Sequence, residues 1–410
     1  MAETAPKNRR VLISGASIAG PAVAWWLGRH GFSPTVVERA SVLRGGGFAV
    51  DFRGEAHMGL LRRMGILDEV RRMQTNMGEQ VVVDDAGRRL ASLPAHFMSG
   101  EVEIARGDLS RILYERTKDT TEYVFDDSIA SIVETEGEVD VTFERGAPRT
   151  FDLVVGADGL HSNVRRLVFG EEARFIRFLG YYVAGFQMPN YMNLDHTGLL
   201  YNVPGKLADM SSSGDDAVAS AGFVFASKPL EYDRRDIEQQ KKLIARVYEG
   251  VGWEVPRLIE AMWGTSDLYF DSMSQIRMDP WSKGRVTLLG DAGYGATLGG
   301  MGTGMAMVGA YVLAGELAAA GGDHRAAFAR YEEKLGAYAR GCQKLAEGAG
   351  PFLAPATPGK IRRRNRAYRM LSFRPLAGVF NRMTTKAANA ITLEDYSPGQ
   401  FATSGAHTRP

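Results

Sequence analysis

The sequence predicts an α/β protein, in which a parallel β-sheet with covering helices is interrupted by an inserted, mainly antiparallel β-sheet and followed by C-terminal helices. Three short apolar runs that end in glycine predict the parallel sheet: VLISG at 11–15, LVVG at 153–156 and VTLLG at 286–290. An uninterrupted apolar run is typical of a strand that is buried on both faces, as in parallel sheets. Between the second and third runs, 175–278 contains longer, half-buried strand patterns, which predict the antiparallel insertion.

The first run leads into the glycine-rich turn 15–20 (GASIAG) and then into an apolar helix over 21–29. Such a turn directs backbone N–H groups and the positive end of the helix dipole towards a pyrophosphate. Glu38 ends the next apolar strand, where a carboxylate can accept hydrogen bonds from a ribose diol. The turn therefore predicts a Rossmann-like dinucleotide-binding domain. A secretory signal, which the basic residues at 7–10 would allow, is disfavoured because no convincing cleavage site follows.

Composition excludes several classes of function. The chain has 410 residues, 45% of them apolar, which is enough for two domains or for one domain with a large insertion. Its net charge of +1 predicts no nucleic-acid partner, and no apolar run is long enough to predict stable membrane association. The single cysteine, Cys342, excludes an internal disulfide and a dithiol redox centre. A cytoplasmic location is expected.

Two further motifs place an aspartate at the carboxyl end of a predicted parallel strand, the edge where open α/β sheets bind ligands. Asp158 follows the second run within GADGLHSNVR (156–165), and Asp291 follows the third run directly. The stretch LGGMGTG at 298–304 opens an apolar helix, whose unpaired N–H groups offer positive potential to a developing anion. Arg106 begins a helix after a strand at 102–104 and could pair with a phosphate. Taken singly, each motif is also compatible with an ordinary turn, loop or solvated helix start.

In this order and at these wide spacings, the three motifs resemble the class A flavin monooxygenases, the family of para-hydroxybenzoate hydroxylase and of the tetracycline-modifying flavoenzymes. The resemblance covers nearly the whole chain and implies FAD as the cofactor and NAD(P)H as the co-substrate. The glycine turn would hold the ADP half, Asp158 would serve FAD and the nicotinamide nucleotide, and Asp291 would hold the ribityl or pyrophosphate region. The cofactor-binding residues that the resemblance implies are Gly15, Ser17, Ile18, Ala19, Gly20, Glu38, Arg39, Arg44, Arg106, Asp158, Asp291, Gly302, Thr303 and Gly304.

The chain departs from the family pattern at three places. Ser17 stands where the middle glycine of the nucleotide turn usually lies. Tyr294 stands where many relatives have histidine, and 296–298 (ATL) replaces a loop that usually contains proline. The backbone N–H groups expected near the flavin do not depend on side-chain identity, so they remain available as donors.

The resemblance also implies the reaction. NAD(P)H reduces the flavin and leaves, O2 gives a flavin C4a-hydroperoxide, and the distal oxygen passes to an electron-rich aromatic or polyketide-like small molecule. Because FAD carries this chemistry while the protein orients it and excludes water, no catalytic side chain is predicted. The sequence contains no Ser/His/Asp arrangement and no metal-ligand spacing among its seven histidines. The protein is expected to be a monomer or a homodimer.

The substrate is expected between the inserted sheet and the flavin. Aromatic residues on the predicted strands alternate, so that some can face the cavity, although each is also compatible with ordinary core. Arg53 is a candidate polar contact at the entrance to the flavin site. The candidate substrate-binding residues are Arg53, Tyr182, Phe186, Phe223 and Phe225.

Four segments summarise the predicted organisation. They are 1–174, the first part of the FAD-binding domain; 175–278, the substrate-binding domain; 279–348, the second part of the FAD-binding domain; and 349–410, a C-terminal helical segment with a basic stretch at 362–369 and a last helix near 377–390.

Other functions remain open at this point. A flavin-dependent halogenase usually carries a Trp-x-Trp-x-Ile-Pro signature, which Trp25-Trp26 does not match. A flavin-dependent reductase or dehydrogenase of the same superfamily would act without O2. A non-catalytic flavin-binding redox sensor would show no substrate-stimulated oxidation of NAD(P)H.

Overall fold

The structure of the protein is a computed structural model, which describes residues 7–43, 45–46, 48–95, 100–214, 217–296, 298, 301–371 and 388–397. The strands in chain order are β1 (Arg10–Ser14), β2 (Ser33–Glu38), β3 (Val50–Phe52), β4 (Gln80–Val83), β5 (Arg89–Leu93), β6 (Val102–Ile104), β7 (Glu122–Phe125), β8 (Ile129–Glu134), β9 (Val139–Phe143), β10 (Arg149–Phe151), β11 (Leu153–Gly156), β12 (Ile176–Pro189), β13 (Thr197–Val203), β14 (Lys206–Ser212), β15 (Val218–Ala226), β16 (Tyr269–Ile276), β17 (Ser282–Lys283) and β18 (Val286–Leu288). The α-helices are α1 (Ala19–Arg29), α2 (Gly54–Arg63), α3 (Leu67–Arg72), α4 (Arg106–Glu115), α5 (Asn163–Phe169), α6 (Ile237–Val247), α7 (Val255–Gly264), α8 (Asp291–Tyr294), α9 (Gly302–Ala319), α10 (His324–Ala346), α11 (Ala349–Leu353) and α12 (Pro358–Leu371).

The first sheet is the predicted parallel sheet. Its six strands lie in the order β17-β18-β11-β1-β2-β7, and all neighbours are parallel except β17 and β18. The three strands that precede the glycines are adjacent, with Val11 paired to Leu153 and Val154 paired to Val286. Apart from Arg10, their residues are buried, as the uninterrupted apolar pattern predicts. The three glycine-containing turns therefore lie side by side at one edge of the sheet.

Helix α9 passes through the core of this first domain and packs against α1 and α10. By length and composition alone α9 could cross a membrane, but 78% of that stretch is buried inside the protein. Such burial is typical of a core helix.

The second sheet is mainly antiparallel, as predicted. Its seven strands lie in the order β16-β12-β15-β14-β13-β4-β5, and β13–β4 is the one parallel pair within it. The hairpin β4–β5 comes from the segment 1–174, yet it completes this sheet through β13. The predicted boundary at 175 therefore does not separate the two sheets at this hairpin.

The two faces of the second sheet have different neighbours. Alternate side chains, including those of Ala184, Met210 and Phe223, pack against α6 and α7; we call this the back face. The intervening side chains, including those of Val183 and Val224, form the front face. The front face is turned towards Phe48 and Leu298, which belong to two loops of the first domain.

The C-terminal helix α12 covers the β5 edge of the second sheet. Tyr368 is buried there beside Val82 and Leu93. Within the basic stretch, the Arg364 guanidinium donates to the carbonyl oxygen of Phe352 at 3.0 Å. The helix predicted near 377–390 lies outside the described residues, except for 388–390.

Candidate active site

The turn after β1 is held close to β11 by its glycines. Gly15 has a φ of 106°, and its N–H donates to the carbonyl oxygen of Val37 at 2.8 Å. A Cβ on Gly15 would lie 2.5 Å from the carbonyl oxygen of Ala157, and a Cβ on Gly20 would overlap the carbonyl oxygen of Gly15. Only glycine fits at both positions, so the chain can turn tightly from β1 into α1.

The N-terminus of α1 offers hydrogen-bond donors. Ile18 is its N-cap residue and provides no side-chain cap, and the first turn, which begins at Ala19, contains no acidic residue. Amides of this kind at a helix start form a binding site for an anion.

Glu38 lies beside this turn, at the end of β2. One carboxylate oxygen accepts the N–H of Ala16 at 2.8 Å, and the other accepts the N–H of Ala40 at 2.9 Å. These bonds orient the carboxylate and leave lone pairs for a diol. Arg39, the next residue, is exposed.

Arg106 links the glycine turn to Asp291. It is the first residue of α4, and its guanidinium donates to the Ser17 hydroxyl at 3.2 Å. The Ser110 hydroxyl, one turn later in α4, donates to the Ser17 carbonyl oxygen at 3.0 Å. Burial raises the pKa of Asp291, and the charge of Arg106 opposes that shift, so the two side chains are close. The serine that replaces the usual glycine therefore has a defined partner.

The glycine-rich loop before β3 approaches the same helix start. A Cβ on Gly107 would overlap the backbone of Gly45. Arg44, which the resemblance implies as an FAD contact, lies outside the described residues.

Asp158 fixes the ends of two parallel strands relative to each other. Its carboxylate accepts the Ser14 hydroxyl at the end of β1 at 3.3 Å and the Ser162 hydroxyl at 2.5 Å. It also accepts the N–H of Val164 in the first turn of α5 at 3.0 Å. The carboxylate is thus already engaged by the protein, although burial raises its pKa.

Asp291 and the start of α9 face one cleft. Asp291 is exposed to solvent, yet enough protein surrounds its carboxyl group to raise the pKa, a combination that places the group in a cleft wall. A Cβ on Gly302 would lie 3.7 Å from a carboxylate oxygen of Asp291. Met301, the N-cap residue of α9, has a left-handed φ of 55° and provides no side-chain cap, and the first turn contains no acidic residue. The amides at 302–304 therefore keep the donor character that a helix start provides.

His57 supports the first turn of α9 and was missed by sequence reasoning. A Cβ on Gly304 would overlap its imidazole ring. One ring nitrogen lies 2.7 Å from the Tyr338 hydroxyl, and the other accepts the N–H of Arg53 at 3.3 Å. Burial, with a smaller contribution from Arg53, lowers the pKa of His57 to about 4, so the ring is neutral at neutral pH. Arg53 itself is 8% exposed, and its guanidinium pairs with Asp51. Its contact with substrate stays a prediction.

Tyr294, which stands where many relatives have histidine, lies in the core. Its hydroxyl is 3.0 Å from that of Tyr331, and it is 1% exposed. Thr297, in the loop that replaces the family's proline, lies outside the described residues.

A charged cluster links the Asp158 segment to the second sheet. One ring nitrogen of His161 lies 3.0 Å from the carboxylate of Glu172, and the other lies 3.1 Å from that of Asp271 on β16. Burial lowers the pKa of His161, but these two carboxylates outweigh it and raise the pKa overall. Arg165, which is fully buried, donates to the carbonyl oxygen of Ala292 at 2.8 Å and ties α5 to α8.

Four of the predicted substrate-binding residues do not face the cleft, which corrects the expectation from sequence. They share the back face of the second sheet, where each is at most 5% exposed and packs towards α6 and α7. Strand alternation indicated two faces but not which one the first domain covers. The four residues are Tyr182, Phe186, Phe223 and Phe225.

The front face contains features that sequence reasoning also missed. Phe48 packs edge-on against Tyr269 at 5.6 Å between ring centroids. Tyr269 lies close enough to Arg106 and Asp291 for both charges to act on its hydroxyl. The front face therefore begins at the cleft where the three motifs meet.

The cleft fits FAD by the chemistry of its donors and acceptors. The uncapped starts of α1 and α9 suit the pyrophosphate and the electron-rich edge of the flavin. The carboxylates of Glu38 and Asp291 suit the ribose and ribityl hydroxyls. The glycine turn itself packs directly on the protein backbone at Ala157, which places the start of α1 next to the end of β11.

Comparisons with known proteins agree with this geometry. Residues 8–347 match the family described as an FAD binding domain. The chain is 40% identical over 399 residues to a flavin-dependent monooxygenase from an unknown prokaryotic organism, covering 95% of this chain and 100% of that protein. It is 37% identical over 396 residues to a flavin-dependent monooxygenase of Legionella longbeachae, covering 95% and 99%. Its fold is similar to the crystal structure of the tetracycline destructase Tet(55), with a TM-score of 0.82 and 38% identity over 96% of this chain and 100% of that chain. The chain therefore belongs to the class A, para-hydroxybenzoate hydroxylase-like family of FAD-dependent monooxygenases.

Proposed function

We propose that the protein uses NAD(P)H and O2 to hydroxylate an aromatic or polyketide-like small molecule held between the flavin and the front face of the second sheet. One oxygen atom enters the substrate and the other leaves as water. Bound FAD supplies the redox chemistry, taking a hydride from the nicotinamide and activating O2. The hydroperoxide route stays a prediction of the family resemblance.

One observation carries this proposal: the glycine turn, Arg106, Asp291 and the start of α9 lie next to one another, and two loops of the same domain pack on the front face. The start of α1 would hold the pyrophosphate and Glu38 the adenosine ribose. Asp291 would accept a ribityl hydroxyl, and the amides at 302–304 would stabilise negative charge on the reduced flavin. Asp158 would act mainly by fixing β1 against β11, because its oxygens already accept protein donors.

The name of one similar structure, a tetracycline destructase, supports polycyclic aromatic compounds as the first substrates to test. The expected cytoplasmic location and the expected monomer or homodimer stay predictions. Cell fractionation and size-exclusion chromatography test them.

The experiment starts with the visible spectrum of the purified protein. We expect the yellow colour of bound FAD and an oxidation of NADH or NADPH that polycyclic phenols and tetracyclines accelerate. With ¹⁸O2, the product should gain one labelled oxygen atom. A product that gains only hydrogen would indicate a reductase, and a protein that takes up no FAD would contradict the proposal.

A further inference from the structure

Ser17 connects the glycine turn to α4 through two hydrogen bonds. Its hydroxyl accepts an N–H of the Arg106 guanidinium at 3.2 Å, and its carbonyl oxygen accepts the Ser110 hydroxyl at 3.0 Å. Arg106 and Ser110 are one helical turn apart and therefore lie on the same face of α4. The bond to Arg106 needs a side chain at position 17, whereas the bond to Ser110 uses only the backbone.

The backbone of the turn does not require glycine at position 17. Gly15 has a left-handed φ of 106°, but Ser17 is not among the described non-glycine residues with a positive φ. Its side chain is half-buried, so it lies at the edge of the turn rather than in the core. Serine therefore fits here without backbone strain, and its hydroxyl provides a contact that a glycine could not make.

Arg106 has few partners inside the protein. Within the described ranges its guanidinium donates one hydrogen bond, the one to Ser17. Asp291 is close enough for the charge of Arg106 to oppose the rise in its pKa, yet these two side chains form no ion pair. A guanidinium carries five N–H donors, so most of them are left for a ligand.

The position of this guanidinium suits a phosphate. Ser17 directly precedes Ile18, the uncapped N-cap residue of α1, where a pyrophosphate would meet the free amides of the helix start. A guanidinium that donates to Ser17 is next to this place, and an arginine can bind two phosphate oxygens through parallel N–H bonds. Without the hydroxyl, the guanidinium could turn towards Asp291, and both charges would then be lost to the cofactor.

We propose that Ser17 is a positioning residue for FAD: its hydroxyl holds the Arg106 guanidinium at the pyrophosphate and away from Asp291. This role requires bound FAD but no particular substrate, so it goes beyond the proposed hydroxylation.

A double-mutant cycle on the dissociation constant of FAD tests this role. The holoenzymes of wild type, Ser17→Ala, Arg106→Ala and the double variant are equilibrated with graded FAD, and ultrafiltration measures the free FAD. We expect Ser17→Ala to raise the dissociation constant about tenfold, the effect of losing a hydrogen bond to a charged group. In the Arg106→Ala background, the same substitution should change the dissociation constant by less than about twofold.

Two further variants separate positioning from a loss of structure. Ser17→Thr keeps the hydroxyl and should keep the wild-type dissociation constant. Ser33→Ala, at the exposed start of β2, is the control for removing a serine hydroxyl from the same domain and should also bind FAD as wild type does. At saturating FAD, the melting temperature of Ser17→Ala should equal that of wild type.

Four results would overturn the role. Ser17→Ala could bind FAD as tightly as wild type, or it could weaken binding equally in both backgrounds, which would mean that the hydroxyl acts without Arg106. Ser17→Thr could lose FAD as Ser17→Ala does, or a lower melting temperature of Ser17→Ala at saturating FAD could show that the hydroxyl stabilises the turn itself. Failure of the proposed function is separate, because it shows as bound FAD without oxygen transfer to any substrate tested.

Discussion

The two faces of the second sheet are built from opposite kinds of residue. On the back face, the Tyr182 ring stacks on Phe225 at 5.6 Å and on Phe270 at 5.5 Å. On the front face, Gly185 and Gly222 lie side by side in adjacent strands. Aromatic packing stabilises the domain from the back face. On the front face, by contrast, the missing side chains of Gly185 and Gly222 let the Phe48 ring and the Asp209 carboxylate lie directly on the sheet.

Phe223→Ala gives the largest expected effect and tests the role of the back face. Phe223 is 0% exposed, so the substitution leaves a cavity and should lower the free energy of unfolding by about 3–5 kcal/mol. Urea unfolding measures the loss. The exposed Val133→Ala, at 56% exposure, should change it by about 0.5 kcal/mol or less. If Phe223→Ala instead kept its stability and raised the KM for substrate, the back face would line the substrate pocket after all.

Gly15→Ala extends the comparison to the glycines of the FAD-binding domain. The left-handed φ and the contact with the Ala157 carbonyl oxygen together should cost about 3 kcal/mol, because backbone atoms cannot move aside. We expect the purified variant to lose FAD, as measured by the ratio of absorbance at 450 and about 280 nm. Gly28→Ala is the matched control, since a Cβ there meets nothing within 4 Å. Equal FAD loss in both variants would show that the turn geometry is unimportant.

His57 tests how a buried polar group whose hydrogen bonds are satisfied responds to pH. Its pKa is lowered to about 4 in the folded protein from an ordinary 6.5, so the unfolded chain takes up the proton first as the pH falls. The stability that neutral His57 contributes is complete above about pH 6.5 and is lost as the pH falls towards 4, by at most about 3 kcal/mol. Urea unfolding of wild type and His57→Gln at several pH values isolates this term, because other groups titrate in both proteins. The stability difference between them should shrink with acid, and a constant difference would refute the assignment.

The sequence predicts the parallel sheet and the nucleotide turn because their signals are local. The strand that ends at Gly15 carries its own apolar run, turn and helix within about 20 residues, as such motifs do. His57 could not be found this way, because its partner Tyr338 is 281 residues away. Alternation in β12 likewise shows that two faces exist, but the choice of face is made by tertiary packing.

Gly185→Ala has the smallest expected effect. It distinguishes a glycine that faces a side chain from one, such as Gly15, that faces backbone. Its Cβ would press on the far end of the Phe48 side chain, which can rotate, whereas the Cβ at Gly15 would press on backbone. The free energy of unfolding should therefore fall by about 1 kcal/mol or less, with FAD content unchanged. The KM for a polycyclic substrate should rise severalfold, because the displaced Phe48 ring moves into the space proposed for the substrate between the front face and the flavin. Gly264→Ala, where a Cβ meets nothing within 4 Å, should change neither quantity. If Gly185→Ala lost FAD or unfolded as Gly15→Ala is expected to do, the front face would be a packed domain interface and the space for substrate would have to lie elsewhere.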